Sequence, residues 1–183
     1  INIHLEKEDK DKKEEKHCCE CSGMVNEDDI LVSICPSCSK KGPHVISTDN
    51  VTATTVNHPV CFPLGSTMNL VTDGLGIAEI NNEIYHGTYT VLLTERLGND
   101  FFGFTFIGIN DSGEFFINAV ATPIDDANLT ITQCKSSHCS CTPTNFTPPP
   151  AAQNLLNLAN MENLPKSVSI VQRANGEFEK IIK

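Results

Sequence analysis

The sequence has no tryptophan, two tyrosines and one arginine as the sole basic side chain between Gly42 and Gln133. Each scarcity narrows the function. A carbohydrate-binding sandwich normally offers flat aromatic platforms, and with aromatics at 6% of 183 residues there are few to offer. Nucleic-acid binding needs Lys and Arg to displace counterions, whereas the 42–133 stretch sets ten acidic side chains against Arg96 alone. An anionic membrane surface is disfavoured on the same grounds. No apolar run approaches the roughly 20 residues that cross a bilayer, and no basic start followed by an apolar stretch marks a leader. No G-x-S-x-G, H-E-x-x-H or phosphate-binding loop occurs. His58 and His86 fall in segments that read as β, and Asp73-Gly74-Leu75-Gly76 reads as a turn. A Cys–His pair could be drawn from His138 and Cys139, but no third group is placed to orient it. The chain is expected not to be an enzyme and to have no small-molecule substrate.

What the sequence has in excess is cysteine, at positions 18, 19, 21, 35, 38, 61, 134, 139 and 141. Nine is an odd number, so full oxidation would force at least one bond outside the chain. Four of the nine form Cys18-x2-Cys21-x13-Cys35-x2-Cys38. Two CxxC turns facing one another can present four thiolates in the tetrahedron of a structural Zn²⁺, as in a zinc ribbon. Cys19 crowds the first of those turns, and disulfides are the rival use of the same sulfurs. Either structural zinc or no cofactor is expected. The rear cluster Cys134-x4-Cys139-x-Cys141 has poor spacing for one tetrahedron and reads better as covalent fastening. Cys61 stands alone in His58-Pro59-Val60-Cys61-Phe62-Pro63 and is either a buried thiol or one end of a bridge.

Four segments follow from composition. Residues 1–17 read as a flexible tail, because residues 6–16 are all charged, six acidic and five basic. Residues 17–44 read as a cysteine-rich connector or zinc-ribbon-like unit with one strand, Ile30 to Ile34. Residues 45–141 read as an antiparallel β-sandwich or jelly roll. Tyr85, Tyr89, Val91 and Leu93 share one face of a strand; Phe102, Phe104 and Phe106 share another, opposite Ile107 and Ile109. Gly98-Asn99-Asp100 and Asn110-Asp111-Ser112-Gly113 mark hairpin turns. Residues 142–183 read as a proline-rich spacer, a helix from Ala151 to Leu164 lined by Leu155, Leu158, Met161 and Leu164, and a hairpin turning at Asn175-Gly176. The fold class is therefore all-β with one short helix.

The order of charged tail, Cys18-Cys19, β domain and rear cysteines resembles that of the cysteine-rich proteins of bacterial endospore surfaces, particularly the subunits of spore appendage fibres. In that family a cysteine-bearing N-terminal connector precedes a jelly-roll-like domain and forms disulfides with the next subunit. The resemblance implies connector roles for Cys18 and Cys19, with Cys35 or Cys38 as the later partner, and the cross-linking set would be Cys18, Cys19, Cys35, Cys38, Cys134, Cys139 and Cys141. It departs from the family in carrying Lys16 and His17 where an aliphatic residue precedes the connector cysteines, and in the extra Cys21. The resemblance implies an extracellular or spore-surface structural protein whose partners are copies of itself. The alternative that the residues leave open is an intracellular module, a zinc ribbon joined to a β-sandwich that recruits another protein.

Overall fold

A computed structural model describes residues 21–35, 44–133, 146–161 and 167–181. Within them the chain is an all-β body with one helix, α1. Its twelve strands are β1 (Cys21–Glu27), β2 (Ile30–Ile34), β3 (Val45–Ser47), β4 (Val51–Ala53), β5 (Val60–Leu64), β6 (Thr67–Ile80), β7 (Glu83–Glu95), β8 (Asp100–Ile109), β9 (Phe115–Ile124), β10 (Leu129–Gln133), β11 (Ser167–Gln172) and β12 (Phe178–Ile181). All pairings are antiparallel, and the strands form one sheet in the order β10-β1-β2-β3-β4-β6-β7-β8-β9-β11-β12, with β5 also on β6.

The sheet curls back on itself, so that β1 and β10 lie over β6 and β7. Gly23 permits this closure. A Cβ there would stand 2.7 Å from Leu93 Cδ1 and 2.8 Å from Leu70 Cδ1. The core fills the space inside the curl, and strand alternation chooses its members. Tyr85, Tyr89, Val91 and Leu93 all point inward, as do Phe102, Phe104 and Phe106, while Ile107 and Ile109 face outward. Offset rings run through this core, with Tyr89 and Phe104 centroids 5.9 Å apart and Phe106 and Phe116 6.1 Å apart. Val25, Val32 and Ile34 from the cysteine-rich stretch belong to the same core.

The helix α1 (Pro150–Ala159) covers the sheet's outer face. Pro149 and Pro150 start it, since proline suits the first turn where no amide partner is needed. It buries Ala152, Leu155, Leu156 and Ala159 against Leu92, Phe101 and Ala121. Gly103 lets it approach closely, because a Cβ there would meet Leu155 at 3.1 Å. This stripe corrects the sequence expectation in length and phase. The helix ends at Ala159, Leu158 is only half-buried, Met161 is exposed, and Leu164 lies outside the described residues. Arg96 closes the C-terminus: its Nη1 donates to the Ala159 carbonyl at 2.7 Å, and its guanidinium sits 6.0 Å from the Phe101 ring.

The Asp73–Gly76 stretch is not a turn. It lies in the middle of β6, which runs unbroken along β7 from Met68–Glu95 to Ile80–Glu83. The opposite edge of β6 is shared, β5 occupying its first half and β4 its second. Residues 54–59 cross over between them. Thr55 O passes so close to Gly74 that a Cβ would lie 2.2 Å away, and Tyr89 donates its hydroxyl to the same carbonyl at 2.7 Å. His58 lies on this crossing segment rather than in a strand. The β6–β7 turn, Asn81-Asn82, has φ of 53° and 65°, the left-handed pair of a two-residue hairpin.

Candidate assembly surfaces

The sulfur chemistry is built at the start of β1. Cys21 was expected to lie near a turn; it is instead the first residue of a strand that runs beside β10 on one edge and β2 on the other. The curl brings β1 over β6, and β5 is paired to β6, so Cys21 and Cys61 meet across a sequence separation of 40 with Cα atoms 5.6 Å apart. They form a disulfide, and both are buried in the core. The bond fastens the short strand β5 to the far end of the curled sheet. Of the two readings of Cys61, the bridge is the one realised.

Cys35, directly after β2, is also a disulfide cysteine, and its amide donates to His44 Nδ1 at 3.1 Å. A cystine sulfur is not a thiolate and does not hold Zn²⁺. In this structure, then, Cys21 and Cys35 are committed to disulfides. Cys18 and Cys38, their companions in the expected zinc set, lie outside the described residues, as do Cys19, Cys134, Cys139, Cys141 and His138. Nowhere among the described residues do three His, Cys, Asp or Glu side chains converge to hold a metal. The Cys21–Cys61 pair, held at disulfide distance, points to a non-reducing environment. No helix among the described residues is long and apolar enough to cross a membrane.

The sheet ends differently on its two sides. At one end β10 reads Leu129-Thr130-Ile131-Thr132-Gln133, with no charge and no proline. Leu129 and Ile131 are buried, and Thr130 and Thr132 face solvent. At the other end β12 reads Phe178-Glu179-Lys180-Ile181, and Phe178 is 69% exposed. Among the described residues no further strand follows either one. Charges on an edge strand discourage unplanned pairing, so β12 is guarded and β10 is not.

An ion cluster holds the β11–β12 hairpin in place. Arg173 reaches Glu179 at 2.6 Å, Glu114 at 3.0 Å and Glu83 at 3.4 Å, tying the hairpin to the β8–β9 turn and to β7. Burial alone would raise the Glu114 carboxyl. Hydrogen bonds from the Arg173 side chain, the Ala174 amide and Asn110 outweigh it and hold Glu114 below its usual value. Arg173 is raised in turn, chiefly by its hydrogen bonds to Glu179 and Glu114. Tyr85 is pushed up to about 12, first by burial and then by its hydrogen bond to Glu83. Tyr89 is raised further, by burial and then by Asp73. These two phenols stay neutral and structural. His58 and His86 are both exposed, on separate elements. The sequence reading missed the Arg173 cluster, because Glu83, Glu114 and Glu179 are far apart along the chain and meet only in the fold. The chain matches no protein-family model, no curated protein and no solved structure.

Proposed function

We propose that the protein is a structural subunit that assembles with copies of itself outside the cell, in a fibre or coat of the spore-surface kind. Strand pairing would bring copies together and cystine cross-links would lock them. It would catalyse nothing. The observation that carries this reading is that, among the described residues, the sheet ends in one uncharged, Thr-rich strand at β10 and a guarded one at β12.

Edges of unlike character favour head-to-tail contact, in which β10 of one copy meets a different surface of the next. Such heterologous contacts propagate into filaments unless the rotation happens to close a ring. Cysteines that flank β1, β2 and β10 in the sequence would then act on strands already in contact. A tether raises the effective concentration of the second contact without adding a new one. Because nine cysteines cannot all pair within one chain, a fully oxidised copy must bond to something else.

Electrophoresis of the oxidised protein tests the reading. Non-reducing gels should show a ladder or material that fails to enter, and heat with reductant should collapse it to a single band near 20.0 kDa. A lone monomer band without reductant would overturn the reading.

A further inference from the structure

The helix α1 covers one end of the sheet's outer face, where it packs on Val71, Leu92 and Ala121 of β6, β7 and β9. The same face continues past the helix, and there the strand register sets its side chains in cross-strand rows. One row runs Leu75, Thr88, Ile107, Ile117, Ile170 and Lys180, from β6 to β12. The next runs Ile77, His86, Ile109, Phe115, Gln172 and Phe178. Alternation turns these rows away from the core, since their chain neighbours Tyr85, Phe106, Phe116 and Val171 are buried. Leu75, Ile107, Ile109, Phe115 and Phe178 are between 41% and 69% exposed. The outer side of β1, β2 and β10 is more polar, with Ser22, Ser33, Thr130 and Thr132 around Met24 and Leu31.

Size and charge select the occupant. Shorter rows that begin at Asp73 and Glu79 flank these two. With strands about 4.8 Å apart and same-face residues about 6.8 Å apart, the surface amounts to roughly 600 Å². Twice that, about 1,200 Å², is where specific protein interfaces begin. The charges of the face are split between its sides. Asp73 and Glu79 lie on β6, and Lys180 lies on β12. A two-fold axis parallel to the strands, between β8 and β9, lays β6 of one copy over β12 of the other and brings unlike charges together at both margins. It also lays Ile107 and Ile109 of β8 over β9 of the other copy, which presents Phe115 and Ile117. We propose that this face binds the same face of a second copy, as a two-fold sheet-on-sheet dimer held by apolar contact and independent of cystine links. The inference rests on the self-assembly reading only in taking the partner to be a second copy. It adds a contact of another kind: strand edges extend a row of subunits, and face pairing joins two rows.

The test uses the full chain after mild reduction and alkylation, which removes cystine links between copies, with mass spectrometry to verify that the buried Cys21–Cys61 bond survives. Sedimentation equilibrium should show a dimer with a micromolar dissociation constant. Ile107→Thr with Ile109→Thr keeps β-branched residues at two exposed strand positions, and it should weaken the dimer about a hundredfold. Leu97→Ser, in the β7–β8 turn outside the face and 95% exposed in the parent, should leave the dimer unchanged. Lys180→Glu and Glu79→Lys should each weaken it about fivefold at low salt. An equimolar mixture of those two variants should recover the parent affinity, because in a two-fold pair each reversed charge then meets its opposite. A monomeric parent, a dimer indifferent to the isoleucine pair, or a mixture no tighter than its components overturns the proposal. The non-reducing ladder of the untreated chain reads out separately. A ladder without a dimer of the alkylated chain overturns face pairing alone, and a dimer without a ladder overturns the cystine reading alone.

Discussion

Removing the Cys21–Cys61 bond has an effect whose size follows from the chain itself. The bond closes a loop with a sequence separation of 40. In the chain-entropy treatment a loop of that length restricts the unfolded ensemble by about 4 kcal/mol. Both cysteines are almost fully buried, at 2% and 4% exposure, so the pair should be replaced together as Cys21→Ala/Cys61→Ala. A single replacement would leave one thiol to exchange with the remaining cysteines. Against a typical total stability of about 5–15 kcal/mol, the loss is large. For a chain of this size it corresponds to roughly 10 °C in melting temperature. Urea unfolding of the parent and the double variant, monitored by circular dichroism, reads both the midpoint and the slope. The midpoint should fall, and the slope should rise because the uncrosslinked chain exposes more surface when unfolded. A difference below about 1 kcal/mol with an unchanged slope would refute the idea that this bond closes the curl.

Three further perturbations probe separate parts of the account. Gly74→Ala should destabilise by about 1–3 kcal/mol in urea titration, because the new methyl collides with the Thr55 carbonyl, whereas Gly65→Ala meets nothing and acts only through its positive φ. Arg96→Leu should loosen α1, seen as faster amide exchange in the last helical turn, since the Ala159 carbonyl loses its donor. The pH profile should carry two opposed contributions. The lowered Glu114 supports the fold above its unfolded value of about 4.3, and that support is lost as pH falls through its folded value, so Glu114→Gln should flatten the acid limb. Asp100, raised mainly by burial against the opposing Arg96 amide hydrogen bond, has the reverse sign. Its contribution is present below about 3.9 and lost as pH rises through its folded value. Asp100→Asn should therefore exceed the parent in urea midpoint at pH 7 and converge with it in acid.

Strict alternation made the central strands legible. Phe102, Phe104 and Phe106 could only share a face, and that face had to be the core. The Asn175-Gly176 hairpin was legible for the same kind of reason, with Gly176 at φ 86° and β11 extending the main sheet beside β9. Glycine misled where its use was tertiary. Gly74 admits a crossing carbonyl, which no local pattern encodes. The helix phase was missed because Ala152 and Ala159 complete the buried stripe, and alanine is a weak hydrophobic signal until Gly103 is seen beneath it. The Cys21–Cys61 pairing depends on which strands the curl superposes, and cysteine spacing along the chain does not contain that information.

The central claim, that copies are joined through their cysteines, is tested most directly by isotope mixing. Unlabelled and ¹⁵N-labelled chains are combined before oxidation, digested without reduction and read by mass spectrometry. Disulfide-linked peptide pairs carrying one light and one heavy partner should appear for cysteines among Cys18, Cys19, Cys38, Cys134, Cys139 and Cys141, while Cys21–Cys61 and the bond made by Cys35 should remain all-light or all-heavy. If every linked pair were isotopically pure, the cystines would be internal to single chains and the account would be contradicted.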